Sequence, residues 1–345
     1  MRWAVILAGG VGSRFWPVST AARPKQLLPL ATDAPLLLET VERLTPLIPA
    51  ERIFVVTSRA LAPALAAAAP ALPPGHVLAE PRAASTLPAL AWATATVAAR
   101  DPDASVLSLH ADWAIGDQAG FRAAADTALS IAERRDLVVT VGARPTRPET
   151  GFGYVVPGNK LGEGAFTIAT FVEKPDAARA GALILEGALW NTGLFAWTAR
   201  RFRAEIATHT PELAGGLAAL DRGDADAMYG AVRPVSVDVG VFERTARGAV
   251  VAGDFGWDDV GSWAALCRVR RTDAAGNVVV GDAHAVDAKG CVVWSEEGTT
   301  VVEGLEGVVV VRARGITLVT TAERAPDLKK LLDRLPGMLA GERGA

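Results

Sequence analysis

The chain has 345 residues, half of them apolar, and a net charge of −3, enough apolar material for a large domain plus a smaller one and no excess of basic residues to hold nucleic acid or an anionic membrane. Two cysteines, Cys267 and Cys291, and four scattered histidines leave no disulfide framework and no Cys/His metal site. The apolar run 3–8 stops at Gly9-Gly10, too short for a secretion signal, and the Ala-rich stretch 61–72 is interrupted by Pro63 and Pro70, so a cytoplasmic protein without a membrane span is expected.

In chain order, residues 4–7 read as a strand, 36–44 as a helix, 52–57 as a strand, 61–69 as a helix, 76–79 as a short strand and 87–100 as a helix. Residues 105–109 follow as a strand, 120–134 as a helix and 137–143 as a strand. This alternation predicts an α/β fold with a mainly parallel sheet covered on both faces, and such sheets bind ligands at the carboxyl ends of their strands. Residues 152–156 and 167–172 read as strands flanking a Gly-rich turn, and 177–186 and 202–208 as helices. From about residue 270 the chain becomes a string of short Val-rich strands with Gly, Asp and Asn turns, which predicts a small β-solenoid-like lobe that packs and assembles rather than a second active site. Residues 325–339 read as an amphipathic closing helix, and the domain boundary is placed between 1–268 and 269–345.

The first strand breaks into Gly9, Gly10 and Gly12, where missing Cβ atoms let backbone N–H groups approach a phosphate. A dinucleotide fingerprint needs a third glycine that is absent, and a Walker loop needs a Gly-Lys-Ser/Thr that is also absent. Instead Arg14 follows the glycines, Pro17 stops immediate helix formation, and Pro24-Lys25-Gln26 comes next. A forked donor and a point charge on one loop suit a triphosphate.

The string G-G-x-G-x-R-x-x-P-x-S followed by P-K-Q resembles the signature of the sugar-1-phosphate nucleotidyltransferases, most closely the mannose-1-phosphate guanylyltransferase branch. The resemblance runs over roughly 265 residues, through "AEPRAASTLPAL" (79–90), "TRPETGFGYV" (146–155), "FVEKP" (171–175), "WNTGLFAW" (190–197), "SVDVGVFE" (236–243) and "GWDDVGSW" (256–263). Ser85 and Leu87 replace the family's Asn and Ala, and "LHADWAI" (109–115) carries His110 for Pro and Trp113 for His while keeping Asp112.

The resemblance implies a Rossmann-like nucleotidyltransferase domain with a mixed, mainly parallel sheet. It also implies GTP and mannose 1-phosphate as substrates and Mg²⁺ as cofactor. Asp112 and Asp259 would hold Mg²⁺, two hard oxygen donors suiting an ion that keeps its waters and takes few protein ligands; Asp258 is the rival for Asp259. Arg14, Lys25 and Lys174 are the implied catalytic charges. Leu7, Ala8, Gly9, Gly10, Gly12, Ser13, Glu80 and Thr86 would bind the nucleotide, with Glu80 accepting from guanine N1–H and its 2-amino group together. Gly151, Gly153, Glu173, Lys174, Asn191 and Asp238 would hold the sugar phosphate, while Trp190 and Trp197 read as core. Alternatives are the same chemistry on another sugar 1-phosphate, such as a heptose, or another nucleotide, and a non-catalytic nucleotide-sugar sensor on the same fold. A homodimer is a possible assembly, and no fused isomerase domain of the kind longer relatives carry is expected.

Overall fold

The structure is a computed structural model that describes residues 1–10 and 12–336. It places strands β1 (Arg2–Leu7), β2 (Ile53–Ser58), β3 (Val77–Glu80), β4 (Ser105–His110), β5 (Ala114–Ile115), β6 (Val138–Ala143), β7 (Gly153–Gly162) and β8 (Ala165–Glu173). Strands β9 (Leu189–Thr198), β10 (Gly248–Gly253) and β11 (Trp257–Asp258) follow, then β12 (Val278–Val286), β13 (Val292–Glu303), β14 (Val308–Ala313) and β15 (Ile316–Thr321). The helices are α1 (Leu36–Leu44), α2 (Ala62–Ala68), α3 (Thr86–Arg100), α4 (Gln118–Arg135), α5 (Ala177–Leu185), α6 (Ala199–His209), α7 (Leu217–Asp221), α8 (Ala225–Ala231), α9 (Leu266–Val269) and α10 (Leu328–Leu332).

The chain forms two units. The first comprises Met1–Gly9, Val41–His110 and Asp117–Trp257 and holds a nine-stranded sheet in the order β3-β2-β1-β4-β9-β6-β10-β8-β7. Strands β3, β2, β1 and β4 are mutually parallel, as is the β6–β10 pair. β9 runs antiparallel between β4 and β6, and the β7–β8 hairpin closes one edge antiparallel to β10. The mixed, mainly parallel α/β sheet read from the sequence is therefore present. β1 is almost wholly apolar and buried because a central parallel strand is covered on both faces. Its core gathers Phe54, Phe195, Trp197, Phe202 and Phe242, with Trp197 stacked on Phe202 at 3.9 Å between centroids. Asp117 caps α4 by accepting from the Ala119 and Gly120 amides, which fixes where that helix begins.

Strand β9 was not among the strands expected. Its sequence, LWNTGLFAWT, carries Asn, Thr and Gly in mid-run, and its place in the sheet comes from pairing with β4 and β6, residues far away in the chain.

The second unit comprises the described residues of Gly10–Thr40, Ala111–Gly116 and those from Asp258 onward. Strands β12, β13 and β14 stack in parallel and β15 closes antiparallel, giving the β-rich lobe. The loop that carries Arg14 and Lys25 shares one hydrophobic core with this lobe: Phe15, Trp16, Val18 and Leu28 pack with Trp263, Leu266, Trp294, Val311 and Leu328. Trp263 is edge-on to both Phe15 (5.2 Å) and Trp294 (5.3 Å), and its indole N–H donates to the Trp16 carbonyl at 3.1 Å. Polar ties reinforce this packing. Arg314 Nε donates to the Pro17 carbonyl (2.9 Å), Arg270 to the Pro29 and Thr32 carbonyls (2.6 and 2.7 Å), and Arg23 meets both oxygens of Glu296 (2.9 and 2.8 Å). A loop rich in Gly and Pro cannot order itself from local propensity, and here its order comes from burial against strands some 250 residues later in the chain.

The closing helix expected over 325–339 is not continuous. The chain makes one tight turn at Ala325–Asp327, then the short α10, and ends its helical run before Pro336; residues from 337 lie outside the described residues.

Candidate active site

In the second unit, Gly12 adopts a left-handed conformation (φ 71°), and a single helical turn, Ser13–Phe15, follows it. The Ser19 hydroxyl donates to the Gly12 carbonyl at 2.8 Å and holds this turn closed. A Cβ on Gly12 would stand 2.3 Å from Lys25 Cβ, so glycine here serves close approach as well as backbone shape. Pro24 leads into a second tight turn, and Lys25 is 7% exposed. Its ammonium donates to Asp112 Oδ2 at 2.8 Å and to the Asp259 carbonyl oxygen at 2.7 Å, and it lies 5.9 Å from the Phe15 ring centroid. A buried lysine is tolerated because both contacts are good acceptors.

Asp112 stands two residues past β4, and Asp259 one residue past β11. Burial pushes the Asp259 carboxyl above the usual carboxylate range; Lys25 pulls it back, Asp258 and Asp112 push it further, and Arg14 pulls it down. Arg14 is exposed, and a Cβ on Gly261 would sit 2.6 Å from Asp259 Oδ2 and 3.4 Å from Arg14 Nη1. The neighbouring Asp258 is engaged elsewhere: its carboxylate accepts from Arg268 (2.6 and 3.1 Å) and from the Val260 amide (2.8 Å). Val260 holds φ 46°, a left-handed conformation costly for a β-branched residue, and it is fully buried beside Asp259. Of the rival aspartates, Asp259 meets Lys25 through its backbone carbonyl, while the Asp258 carboxylate is taken by Arg268.

The first unit carries two further clusters. At the end of β1, Leu7 and Ala8 are buried; the Ala8 amide donates to the Val56 carbonyl (2.8 Å) and its carbonyl accepts from the Thr57 hydroxyl (2.8 Å). Glu80, the last residue of β3, turns Oε2 toward Gly9, where a Cβ would lie 3.9 Å away. Its Oε1 accepts from the Tyr229 hydroxyl at 2.9 Å, and burial raises the Glu80 carboxyl while this bond lowers it. The Thr86 hydroxyl, at the start of α3, accepts from the Val237 amide at 2.9 Å. Ser85, just before it, holds φ 68° with extended ψ, a region natural only to glycine, and strain of this kind concentrates at functional sites.

At the end of β8, Glu173 is paired with the exposed Lys174, itself at φ 50°. A Cβ on Gly153 would come within 2.6 Å of Glu173 Oε2 and 3.3 Å of Asn191 Cβ. Asn191 accepts from the Thr140 hydroxyl (2.7 Å) and donates to Asp238 Oδ1 (2.8 Å). Asp238 opens a wide helical turn, Asp238–Phe242, and its carboxyl is pushed up to about 6 by burial and by Glu173. The structure thus gathers Gly153, Glu173, Lys174, Asn191 and Asp238. Gly151 is exposed and its amide donates to Glu149 Oε1 at 3.2 Å, outside that cluster. Trp190 and Trp197 are 5% and 0% exposed, core residues as read.

Tyr229, Arg82 and Arg268 carry contacts at these sites that the sequence did not signal. Tyr229 and Arg268 stand outside every quoted block and only tertiary geometry brings them to Glu80 and Asp258, while Arg82, inside the block at 79–90, donates to the Tyr229 and Val232 carbonyls, a contact its motif did not indicate. Among the described residues there is no group of three or more His, Cys, Asp or Glu side chains poised for a metal, and no helix is long and apolar enough to cross a membrane.

A nucleotidyl transferase family model matches residues 3–276, and a MannoseP isomerase/GMP-like beta-helix domain model matches 276–335. A mannose-1-phosphate guanylyltransferase of Escherichia coli is 35% identical over 97% of this chain and 74% of its own length. The chain belongs to the mannose-1-phosphate guanylyltransferase family. Another relative, the alginate biosynthesis protein AlgA of Pseudomonas aeruginosa, is 36% identical over 96% of this chain and 71% of its own length. A crystal structure described as a mannose-1-phosphate geranyltransferase from Thermus thermophilus superposes with a TM-score of 0.89 at 36% identity, covering 96% of this chain and 98% of that one. Membership makes the chain a nucleotidyltransferase and accounts for the β-rich lobe that follows the α/β sheet.

Proposed function

We propose that this enzyme transfers GMP from GTP to α-D-mannose 1-phosphate, giving GDP-mannose and pyrophosphate. The observation that carries this reading is the buried Lys25 ammonium shared by Asp112 and the Asp259 carbonyl, on the loop that also bears Arg14. A phosphate oxygen of mannose 1-phosphate attacks the α-phosphorus of GTP in line; the new P–O bond forms as the bond to the β-phosphate oxygen breaks, and the electron pair leaves with pyrophosphate. The nucleophile is already an anion, so no general base is required, and catalysis rests on positioning and charge screening.

Lys25 screens charge at the attacked phosphate, Arg14 grips the leaving pyrophosphate with its forked donors, and the Gly9, Gly10, Gly12 and Ser13 amides cradle phosphate oxygens. Asp112 and Asp259 offer hard oxygens whose mutual repulsion one added cation relieves, which fits Mg²⁺. When bound, Mg²⁺ supplies charge neutralisation along the phosphates. Glu80 accepts from guanine N1–H and the 2-amino group, with the Leu7–Ala8 backbone and Thr86 beside it. Glu173, Asn191 and Asp238 accept from or donate to sugar hydroxyls, Gly151 and Gly153 admit the hexose, and Lys174 takes the sugar phosphate. A cytoplasmic location suits a reaction on a nucleoside triphosphate, and a homodimer is the assembly proposed.

The test is pyrophosphate release measured for GTP, ATP, UTP and dTTP against mannose, glucose and heptose 1-phosphates, with and without Mg²⁺. GTP with mannose 1-phosphate and Mg²⁺ is expected to be fastest. Faster turnover of another pair would reassign the substrate, and binding without any pyrophosphate release would make the chain a sensor.

A further inference from the structure

We infer that Tyr229 is a positioning residue for base selection: its hydroxyl fixes the plane of the Glu80 carboxylate and thereby sets the preference for guanine. This rests on the proposed role of Glu80. The Tyr229 hydroxyl donates to Oε1 at 2.9 Å, leaving Oε2 turned toward Gly9. A glutamate side chain at a strand end has free rotation about its last bonds, and one directed bond to one oxygen removes that freedom.

Tyr229 is itself held on three sides. Its ring is fully buried and stands edge-on to Trp92 at 6.0 Å between centroids. Its backbone carbonyl accepts from Arg82 Nε at 2.9 Å, and Arg82 also donates to the Val232 carbonyl at 2.7 Å. Arg82 is two residues beyond Glu80, so the same strand end supplies the base reader and the clasp on the helix carrying Tyr229. Asp224 caps that helix by accepting from the Ala227 amide at 3.0 Å. Among the described residues no cation pairs with Glu80; its carboxylate is held by a neutral phenol, which donates to Oε1.

The chemistry demands this. Guanine presents two adjacent donors, N1–H and the 2-amino group, and an ionised carboxylate is acceptor-only. A protonated Glu80 would become a donor and lose the distinction from adenine, whose N1 is an acceptor. Burial favours the protonated form; the Tyr229 bond opposes it. Burial also pushes the Tyr229 hydroxyl itself far above its usual range, so it remains a donor throughout the working pH.

The experiment compares kcat/KM for GTP and for ITP, which lacks the 2-amino group, in the wild type, Tyr229→Phe and Glu80→Gln. Tyr229→Phe is expected to lower the GTP:ITP ratio about tenfold and to move the acidic limb of the GTP profile to higher pH, with KM for mannose 1-phosphate unmoved. A residue that only filled the core would lower the melting temperature and leave ratio and limb in place, which overturns the inference. If Glu80→Gln keeps the wild-type ratio, the base-reading role of Glu80 fails; if it abolishes the ratio while Tyr229→Phe does not move it, only the present inference fails. Replacing Tyr229 by 3-fluorotyrosine keeps the shape and strengthens the donor, so the acidic limb should move to lower pH; a fixed limb there also overturns the inference, whether or not Tyr229→Phe folds.

Discussion

The two units hold their carboxylates in opposite ways. In the second unit Lys25 donates to the Asp112 carboxylate and to the Asp259 backbone carbonyl, and the charges of Lys25 and Arg14 pull on the Asp259 carboxylate, so negative charge is met by positive charge. In the first, Glu80 and Asp238 accept hydrogen bonds from a phenol and a carboxamide, neutral donors, while Lys174 pairs with Glu173 and acts on Asp238 only through its charge. Burial is the largest influence at both Asp238, which rises to about 6, and Asp259, which is also raised, but at Asp259 the Lys25 and Arg14 cations pull against it. A cluster with resident cations is suited to handling phosphate charge. A cluster of carboxylates among neutral donors is suited to reading hydroxyls and base edges, which are themselves neutral.

That contrast can be broken at several points. The largest effect is expected from Lys25→Ala, which removes the shared cation: turnover should fall about a thousandfold, and the melt should show a protein destabilised but folded at 25 °C. Turnover within tenfold of the wild type would remove Lys25 from the chemistry. Gly261→Ala puts a Cβ 2.6 Å from Asp259 Oδ2 and must displace that carboxylate. The Mg²⁺ concentration for half-maximal rate should rise about tenfold, roughly 1.4 kcal/mol, and an unchanged Mg²⁺ titration would detach Asp259 from the metal.

Gly153→Ala is the corresponding test in the first unit, since its Cβ would come within 2.6 Å of Glu173 Oε2. The KM for mannose 1-phosphate should rise several-fold with that for GTP unmoved. The reverse pattern would place Glu173 with the nucleotide.

The smallest effect is on stability. Because the folded-state value of Asp238 is raised to about 6, the native state holds this proton more tightly than the unfolded chain, so the group favours folding as pH falls from above 6 toward 4 and opposes it above 6. Asp238→Asn should therefore gain about 1–3 kcal/mol at pH 8 and nothing at pH 4 in denaturant melts. A gain at pH 4 as well would mean that charge at Asp238 is not the cause.

Much of this was legible from local pattern. The alternation of strands and helices announced the α/β sheet, and the boundaries of α1 agree with the periodic run at 36–44 because its apolar spacing is helical. The glycine, arginine and lysine spacing of the first loop pointed to a phosphate device. What the pattern could not show was pairing at a distance. β9 belongs to the middle of the sheet through partners at β4 and β6, and the first loop is buried against Trp263 and Trp294. Asp258 and Asp259 are adjacent and chemically identical in sequence; the folded surroundings separate them, Arg268 engaging the Asp258 carboxylate and Lys25 the Asp259 carbonyl. Tyr229 sits in an unremarkable short helix, and its meaning lies wholly in the one bond to Glu80.

The division of labour is the central claim, and a crossed comparison tests it most directly. Pyrophosphate release should be measured at saturating substrate and at limiting GTP or ITP for the wild type, Glu80→Gln and Lys25→Ala. Glu80→Gln is predicted to erase the GTP:ITP preference with a modest loss of kcat, and Lys25→Ala to cut kcat about a thousandfold with the preference retained. A fall in kcat of about a thousandfold for Glu80→Gln, or loss of the GTP:ITP preference in Lys25→Ala, would contradict the separation of base reading from phosphate chemistry.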